Sequence, residues 1–422
     1  MKPAVSVVTP VHKTSAPYLG DAYESLKAQT FEHWEWVLVL NGGGYVTDDI
    51  RNDQRVVVIT VTDDAGEQHN RIGRLKKAGI RVAIGPILVE LDADDLLTPD
   101  ALEAILATFE DSTVKMAYSN VAMFEDQTWQ PRAFSEYWGW RNRPFTYQGH
   151  QLIESIAWPV SAQMMRRVEW APNHVRAWEA TAYWKLGGHD ESMKSGDDHD
   201  LCCRFYLAYG PGVRHIDRCL YLYRYHANNT CVTHNADVQA QVLQNYLKYS
   251  RDLAVRWADD NQLRKIDLGG RFDAWQGFET VDRLDADIIT DLNERWPFHD
   301  NSVGVIKASH VFEHLVDSVR TMNEAYRVLA PGGWLFIEVP STDGRGAFQD
   351  PTHRSWWNEN SFRYYTNQAW ARYIQPEYTG RFQASRIVTY DPFNDPTVPV
   401  VQADLIALKA PYDERPVGEI LI

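Results

Sequence analysis

Apolar and polar positions along the chain fall into two alternating periods. Ala4-Val5-Ser6-Val7-Val8-Thr9-Pro10-Val11 is a short apolar run closed by a proline step, and it predicts a buried strand. Leu19 to Gln29 predicts a helix, Trp34 to Leu40 a second strand, and Asn41-Gly42-Gly43-Gly44 the turn after it. Arg55 to Thr60 continues as strand, Gly73 to Ile84 as helix, and Pro86 to Leu91 as strand again. Strands alternating with helices in this way describe a parallel sheet, whose ligands gather at the carboxyl ends of its strands.

Val238 to Trp257 spaces Val242, Tyr246, Tyr249, Leu253 and Trp257 three or four residues apart, a helix that Ala258-Asp259-Asp260-Asn261 ends. Beyond it the alternation restarts, with strands expected at Leu263 to Leu268, Phe278 to Asp282, Gly304 to Ser309 and Trp334 to Pro340. The expected fold class is α/β with two doubly wound domains: residues 1–235, a helical linker 236–261, and residues 262–422.

Composition agrees with two domains, since 422 residues exceed what one hydrophobic core supports, and the hydrophobic content of 44% is ordinary. Cys202, Cys203, Cys219 and Cys231 show no Cys-x-x-Cys spacing, which suits reduced thiols better than a disulfide framework or a zinc site. No apolar run is long enough to span a bilayer and the first strand begins at once, so the expectation is a soluble, cytoplasmic protein. The formal charge of −15 is uneven: residues 266–422 hold 23 acidic against 14 basic side chains. Such a chain is no general polyanion binder, and any nucleic-acid contact needs a local basic patch.

The candidate chemistry sits in Leu91-Asp92-Ala93-Asp94-Asp95-Leu96, where a strand delivers three carboxylates into a turn closed by Thr98-Pro99. Carboxylates this close repel one another unless water or a divalent cation lies among them, and hard oxygen ligands suit Mg²⁺ or Mn²⁺. An acidic turn capping the next helix would give the same letters.

The order of parts resembles the family 2 glycosyltransferases of the GT-A fold over about the first 230 residues. The matching pieces are Val7 to Val11, Trp34-Glu35 to Gly43, Ile72 to Gly79 with Ala83-Ile84-Gly85, the Asp92 to Asp95 motif, and Gly187-Gly188-His189-Asp190-Glu191 followed by Gly196-Asp197-Asp198-His199-Asp200-Leu201. The resemblance implies an inverting sugar transfer from a nucleotide sugar, a UDP-sugar favoured, to an acceptor hydroxyl. Asp94 would be the principal metal ligand, Asp92 would lie toward the ribose or nucleobase and the metal, and Asp95 would support them. His226 is the candidate second ligand, or else a surface histidine after a strand. Asp198 is the implied general base and Asp197 the fallback, although Gly196-Asp197-Asp198 also reads as a helix N-terminus where carboxylates belong electrostatically. Pro10, Val11 and Asn41 occupy base-binding positions, the last more often Asp in the family. Lys76 and Lys77 would reach the diphosphate, or else form a solvated helix face.

The second half resembles class I S-adenosylmethionine-dependent methyltransferases through Asp267-Leu268-Gly269, Pro297-Phe298-His299-Asp300-Asn301-Ser302, Ser309-His310-Val311-Phe312-Glu313-His314, Arg327 to Gly333 and Asp350-Pro351-Thr352-His353. Ile387 to Tyr390 and Val400 to Lys409 would form the closing antiparallel hairpin. Asp282 stands where the family carboxylate accepts from ribose hydroxyls, and Asp291 where the adenine would lie. Arg271 replaces the second glycine that lets the backbone approach the cofactor. A working methyltransferase is one reading; a retained fold used for packing, dimerisation or acceptor handling is the favoured one.

The acceptor is least explicit. Trp129, Trp138, Trp140, Trp158, Trp170, Trp178 and Trp184 are interleaved with Arg132, Arg141, Arg143, Arg166, Arg167 and Arg176, seven basic against four acidic residues between Trp129 and Lys185. Aromatic faces with arginines can stack sugars or unpaired bases. Glycan and protein acceptors, and hydroxymethylated pyrimidines in DNA, therefore stay open beside two further readings, a bifunctional glycosyltransferase/O-methyltransferase and a non-catalytic scaffold. Sugar, oligomeric state and the choice between Mg²⁺ and Mn²⁺ are not legible here.

Overall fold

The computed structural model describes residues 2–62, 71–136, 140–167 and 173–409. It divides into two compact units, Met1–Ser250 and Arg251–Ile422. In the first unit the strands are β1 (Val5–Val11), β2 (Trp34–Leu40), β3 (Val56–Thr60), β4 (Ile87–Glu90), β5 (Leu96–Leu97), β6 (Met116–Glu125), β7 (Pro131–Arg132), β8 (Arg141–Tyr147), β9 (His150–Ile156), β10 (Arg176–Glu179) and β11 (Val213–Tyr225). The helices are α1 (Leu19–Lys27), α2 (Asp48–Arg51), α3 (Ile72–Val82), α4 (Ala101–Phe109), α5 (Ala162–Arg167), α6 (Ala180–Lys185), α7 (Asp197–Tyr209), α8 (Thr230–Thr233) and α9 (Asn235–Asp260). The division between the units falls within α9, after Ser250.

These strands form one sheet whose main path runs β3-β2-β1-β4-β10-β6-β11-β5. β1 to β4 pair in parallel, β10 enters antiparallel between β4 and β6, and β6 runs parallel to β11. All seven residues of β1 and of β2 are buried, which fits central strands covered on both faces. Pro10 stands beyond Val8, the last β1 residue paired with β4, so its missing N–H removes no bond on that side. Helix α3 turns Gly73, Leu75, Lys76, Gly79 and Ile80 inward. A Cβ at Gly79 would lie 2.6 Å from Val8 Cγ1 and 2.7 Å from Val39 Cγ2, so glycine is what lets this helix settle on the sheet.

The second unit holds β12 (Arg264–Leu268), β13 (Glu279–Asp282), β14 (Ile288–Ile289), β15 (Val303–Ser309), β16 (Leu329–Pro340), β17 (Phe382–Tyr390) and β18 (Val400–Ala407), with α10 (Ser318–Val328), α11 (Gly346–Gln349), α12 (Glu359–Thr366) and α13 (Gln368–Ala371). Sheet order is β14-β13-β12-β15-β16-β18-β17, parallel as far as β16 and then antiparallel. The expected closing hairpin is β17 and β18. Among the described residues no helix is long and apolar enough to cross a membrane.

One polar contact lies deep in the first unit. Glu90 ends β4 inside an otherwise apolar run, and Lys76 from α3 meets it with Nζ 2.8 Å from Oε2, both side chains almost fully buried. Trp178 Nε1 donates to the other carboxylate oxygen at 2.7 Å. Breaking such a pair leaves a buried charge uncompensated, which costs about 3–5 kcal/mol, whereas an exposed pair is worth about 1 kcal/mol or less. Lys76→Met should therefore lower stability in denaturant unfolding several-fold more than Arg218→Met, which removes the exposed pair with Asp100. Equal small effects would show that Glu90 is compensated by other groups.

Candidate active site

Parallel strands that end level with one another create the site. Val11 and Leu40 are register partners, so the chain leaves β1 and β2 side by side at His12 and Asn41. β4 releases Asp92 to Asp95 next to them, and β11 delivers Arg224 and His226 from the opposite flank. The N-terminus of α7 brings Asp197 and Asp198. Together these elements enclose a cleft of about 350 Å³, lined among others by Pro10, Asn41, Lys76, Asp92, Asp94, Asp197, Asp198 and His226.

Most of the first-unit residues expected from the sequence meet there, and Val11, Lys77 and Asp95 do not line it. Val11 is fully buried in the core. The Lys77 ammonium lies 3.3 Å from Glu191 and is not among the residues lining the cleft. Lys76 does line it, but as the buried partner of Glu90, so neither the free diphosphate hook nor the solvated helix face describes it.

His226 is seated in the cleft, with Nε2 2.9 Å from Asp94 Oδ2 and its ring stacked on Tyr18 at 5.1 Å between centroids. A carboxylate oxygen and an imidazole nitrogen converging in a cleft form a donor set that fits a divalent first-row ion. The Asn228 amide donates to His226 Nδ1 at 3.2 Å, which leaves the ring proton on Nε2, facing Asp94. Ligation through Nε2 requires that proton to move to Nδ1 and the exposed Asn228 turn to release it. Asp95 takes a different part. It is fully buried, accepts from Tyr221 Oη and the Arg224 amide at 2.7 Å each, and thereby ties the acidic turn to β11. Burial, with Asp94 and Asp92 adding to it, pushes its carboxyl well above the usual range.

Asn41 is buried and neither its Oδ1 nor its Nδ2 has a partner among the described groups. An amide left without partners costs free energy, so this one is poised to exchange a donor and an acceptor with a ligand in the cleft.

The two aspartates of α7 are set apart by their surroundings. Burial opposes ionisation of Asp198, but the Arg176 guanidinium 2.6 Å away, with Lys76 and His174 adding to it, outweighs burial and holds the carboxyl well below the usual range. Its other oxygen accepts from the His199 amide at 2.8 Å in the first turn of α7. Asp197 is almost completely buried under Gly73, where a Cβ would lie 2.8 Å from its Oδ2. Burial pushes it up to about 6, with Asp198 adding and His189 and Lys76 opposing. Burial likewise pushes Asp92 up to about 6.

Sequence reasoning missed the groups that hold these residues. Arg176 comes from β10 and His189 from the loop before α7, its Nε2 3.1 Å from Glu90 and 3.7 Å from Asp197. Arg224 donates to the Asp94 carbonyl at 2.8 Å, to Asp126 at 3.0 Å and to Asp21 at 2.7 Å. The one available signal was a glutamate inside an apolar strand, since a buried carboxylate demands a cation.

The tryptophan and arginine stretch is largely internal. Trp140 and Trp178 are buried, and Trp129 stacks between Phe124 and His150. Arg132 pairs with Glu125, Arg143 with Glu154 and Arg176 with Asp198, so three of the arginines are engaged by carboxylates of the fold. Trp138, Trp170 and the side chains of Arg166 and Arg167 lie outside the described residues.

In the second unit Asp282 accepts from the Arg283 and Leu284 amides at 2.6 and 3.3 Å, and Asp291 pairs with Arg283 at 2.8 Å. Arg271 pairs with Asp285. Asp267, fully buried, is met by Lys307 at 3.0 Å and by the Trp275 amide at 3.0 Å.

The Asp197 shift fixes a sign. A carboxyl raised from its ordinary 3.8 to about 6 in the folded chain binds its proton more tightly there, so its contribution to stability is complete below pH 3.8 and is lost as pH rises through about 6. Asp197→Asn should flatten that fall by on the order of 2–3 kcal/mol in unfolding curves taken at pH 4 and pH 7. An unchanged pH dependence would assign the shift elsewhere.

Comparison with known proteins matches residues 6–173 to the glycosyl transferase family 2 model and residues 254–337 to a methyltransferase domain model. EpsH of Bacillus subtilis (strain 168) is 31% identical over 129 residues, 29% of this chain and 36% of that protein. Chondroitin synthase of Escherichia coli is 25% identical over 248 residues, 57% of this chain and 31% of the synthase. The chain spans about a third of the length of these relatives. Among solved structures, S. aureus TarS 1-349 in complex with UDP-GlcNAc is similar with a TM-score of 0.43 and 15% identity, covering 61% of this chain and 71% of that one. The chain thus joins a region that matches glycosyl transferase family 2 to a region that matches a methyltransferase domain.

Proposed function

We propose that the first unit transfers a sugar from a nucleoside-diphosphate sugar, a UDP-sugar favoured, to a hydroxyl of a glycan acceptor with inversion. The observation that carries this is the convergence in one cleft of Asp94 with His226, the unpartnered amide of Asn41, and Asp198. Asn41 offers a nucleobase one donor and one acceptor. Asp94 and His226 would hold Mn²⁺ or Mg²⁺, which supplies charge to the departing diphosphate. Asp198 takes the acceptor proton as the acceptor oxygen bonds to the anomeric carbon and the bond from that carbon to the diphosphate breaks. Arg176 orients Asp198 and keeps it ionised while lowering its basicity; the Asp198 side chain is 27% exposed where that of Asp197 is 2% exposed, and this access to the acceptor favours Asp198 as the base.

A second cleft of about 780 Å³ supports the glycan reading. It is lined by Tyr18, Trp129 and Tyr147 with Asp21, Glu24, Asp126 and Arg224, aromatic faces and carboxylates of the kind that hold sugar rings. Tyr18 of this lining stacks on His226 and Arg224 donates to the Asp94 carbonyl, so two of its residues touch residues of the first cleft. With three carboxylates against one arginine, this lining is unfavourable for a DNA backbone. The support for a modified-DNA acceptor came from the basic excess, of which Arg132, Arg143 and Arg176 are each paired with a carboxylate.

Nucleoside diphosphate release from a panel of nucleotide sugars, with glycan, protein and hydroxymethylated DNA acceptors in parallel, tests the proposal. The expected outcome is release from one donor stimulated by a glycan; stimulation by DNA alone would overturn the acceptor reading. Asp94→Ala should abolish turnover, and Asp198→Asn should lower kcat by about 10²–10⁴-fold while nucleotide binding persists. Full activity in either variant would remove that residue from its role.

For the second unit we propose a retained fold in place of a working methyltransferase, because the Asp282 and Asp291 carboxylates are already engaged by their own loops. Calorimetric titration with S-adenosylmethionine should give no saturable heat. Binding that Asp282→Ala removes would contradict this.

A further inference from the structure

Three side chains of the second unit bring potential ligand atoms together. Glu313 and His314 lie in a short turn after β15, and His353 lies in the loop after α11. One ligand atom of each lies within 4.8 Å of the other two. Glu313 is 98% buried; its Oε1 faces His310 Nδ1 at 3.4 Å, while Oε2 has no partner.

The hydrogen bonds fix both histidine tautomers. His353 Nδ1 lies 2.8 Å from the Ala347 carbonyl, which only accepts, so Nδ1 carries the proton and Nε2 the lone pair. Thr352 Oγ1 donates to Asp350 Oδ1 at 2.7 Å and therefore accepts from His314 Nδ1 at 3.0 Å, which leaves His314 Nε2 bare as well. Two imidazoles with bare nitrogens and a buried carboxylate oxygen without a partner, gathered this closely, form a donor set that a cation would satisfy. Each histidine also has the outer hydrogen bond that orients a metal ligand.

We propose that Glu313, His314 and His353 form a Zn²⁺ site. Two imidazoles and a carboxylate suit a first-row divalent ion, and Asp350 Oδ2, 3.9 Å from His353 Nε2, is placed to supply a fourth, closing ligand. Ligands about 2.0–2.1 Å from one ion stand about 3.3 Å apart, so side-chain rotations on the order of 1 Å close the set. The site pins the segment of His353 to the carboxyl end of β15. It does not depend on the sugar-transfer reading.

The test uses full-length chain carrying Asp94→Ala and His226→Ala, so that the first unit's donors are absent. Equilibrium dialysis should find one Zn²⁺ per chain, and none once His353→Ala or His314→Gln is added. Co²⁺ should give the visible bands of a tetrahedral nitrogen and oxygen site without thiolate charge transfer. That spectrum needs neither histidine variant to fold. Absence of the cobalt bands, thiolate absorption in their place, or Zn²⁺ retained after both histidine substitutions would overturn the site and leave a proton as the cation.

Discussion

Glu90 stands at the end of β4 with its carboxylate against Lys76 of α3, Trp178 of β10 and His189 of the loop before α7, so several elements converge on one buried charge. Burial pushes Glu90 up, but Lys76 and His189 outweigh it and hold the group well below the ordinary range. A charge in that position is tolerated only while its partners stay in place. It therefore sets the distance between the acidic turn on one wall of the cleft and α7 on the other. Gly73 and Gly79 make the same closeness sterically allowed.

The carboxylates around this pair are differentiated by their neighbours. Asp198 has a guanidinium and stays ionised; Asp197 and Asp92 are buried among other carboxylates and hold protons more tightly. Asp95 has become part of the scaffold. Such divergence among adjacent identical side chains is how one site supplies both a base and a ligand.

The parallel core of each unit was legible because period, turn glycines and a strand-ending proline agree along it. The acidic turn was legible for the same reason, standing at the end of a strand whose apolar run is unmistakable. What escaped was non-local. β6 and β11 pair across about 100 residues, and β11 reaches its register through irregularities near Cys219 that no local pattern announces. Lys76 read as a diphosphate contact or a solvated lysine because its partner is 14 residues away on another element. Trp129 to Lys185 read as core tryptophans mixed with a basic excess because Glu125 and Asp198, which pair with Arg132 and Arg176, lie outside the stretch in sequence. The metal-ligand set of the second unit lay in two matched motifs whose juxtaposition depends on the loop after α11.

The central claim is that the first unit's cleft recognises a nucleoside diphosphate through a cation held by Asp94 and His226. Calorimetry with UDP, in the presence and absence of Mn²⁺, tests it most directly on the intact chain. The account predicts saturable binding that requires Mn²⁺ and that His226→Ala weakens. Equal binding with and without the ion, or none in either condition, would contradict it.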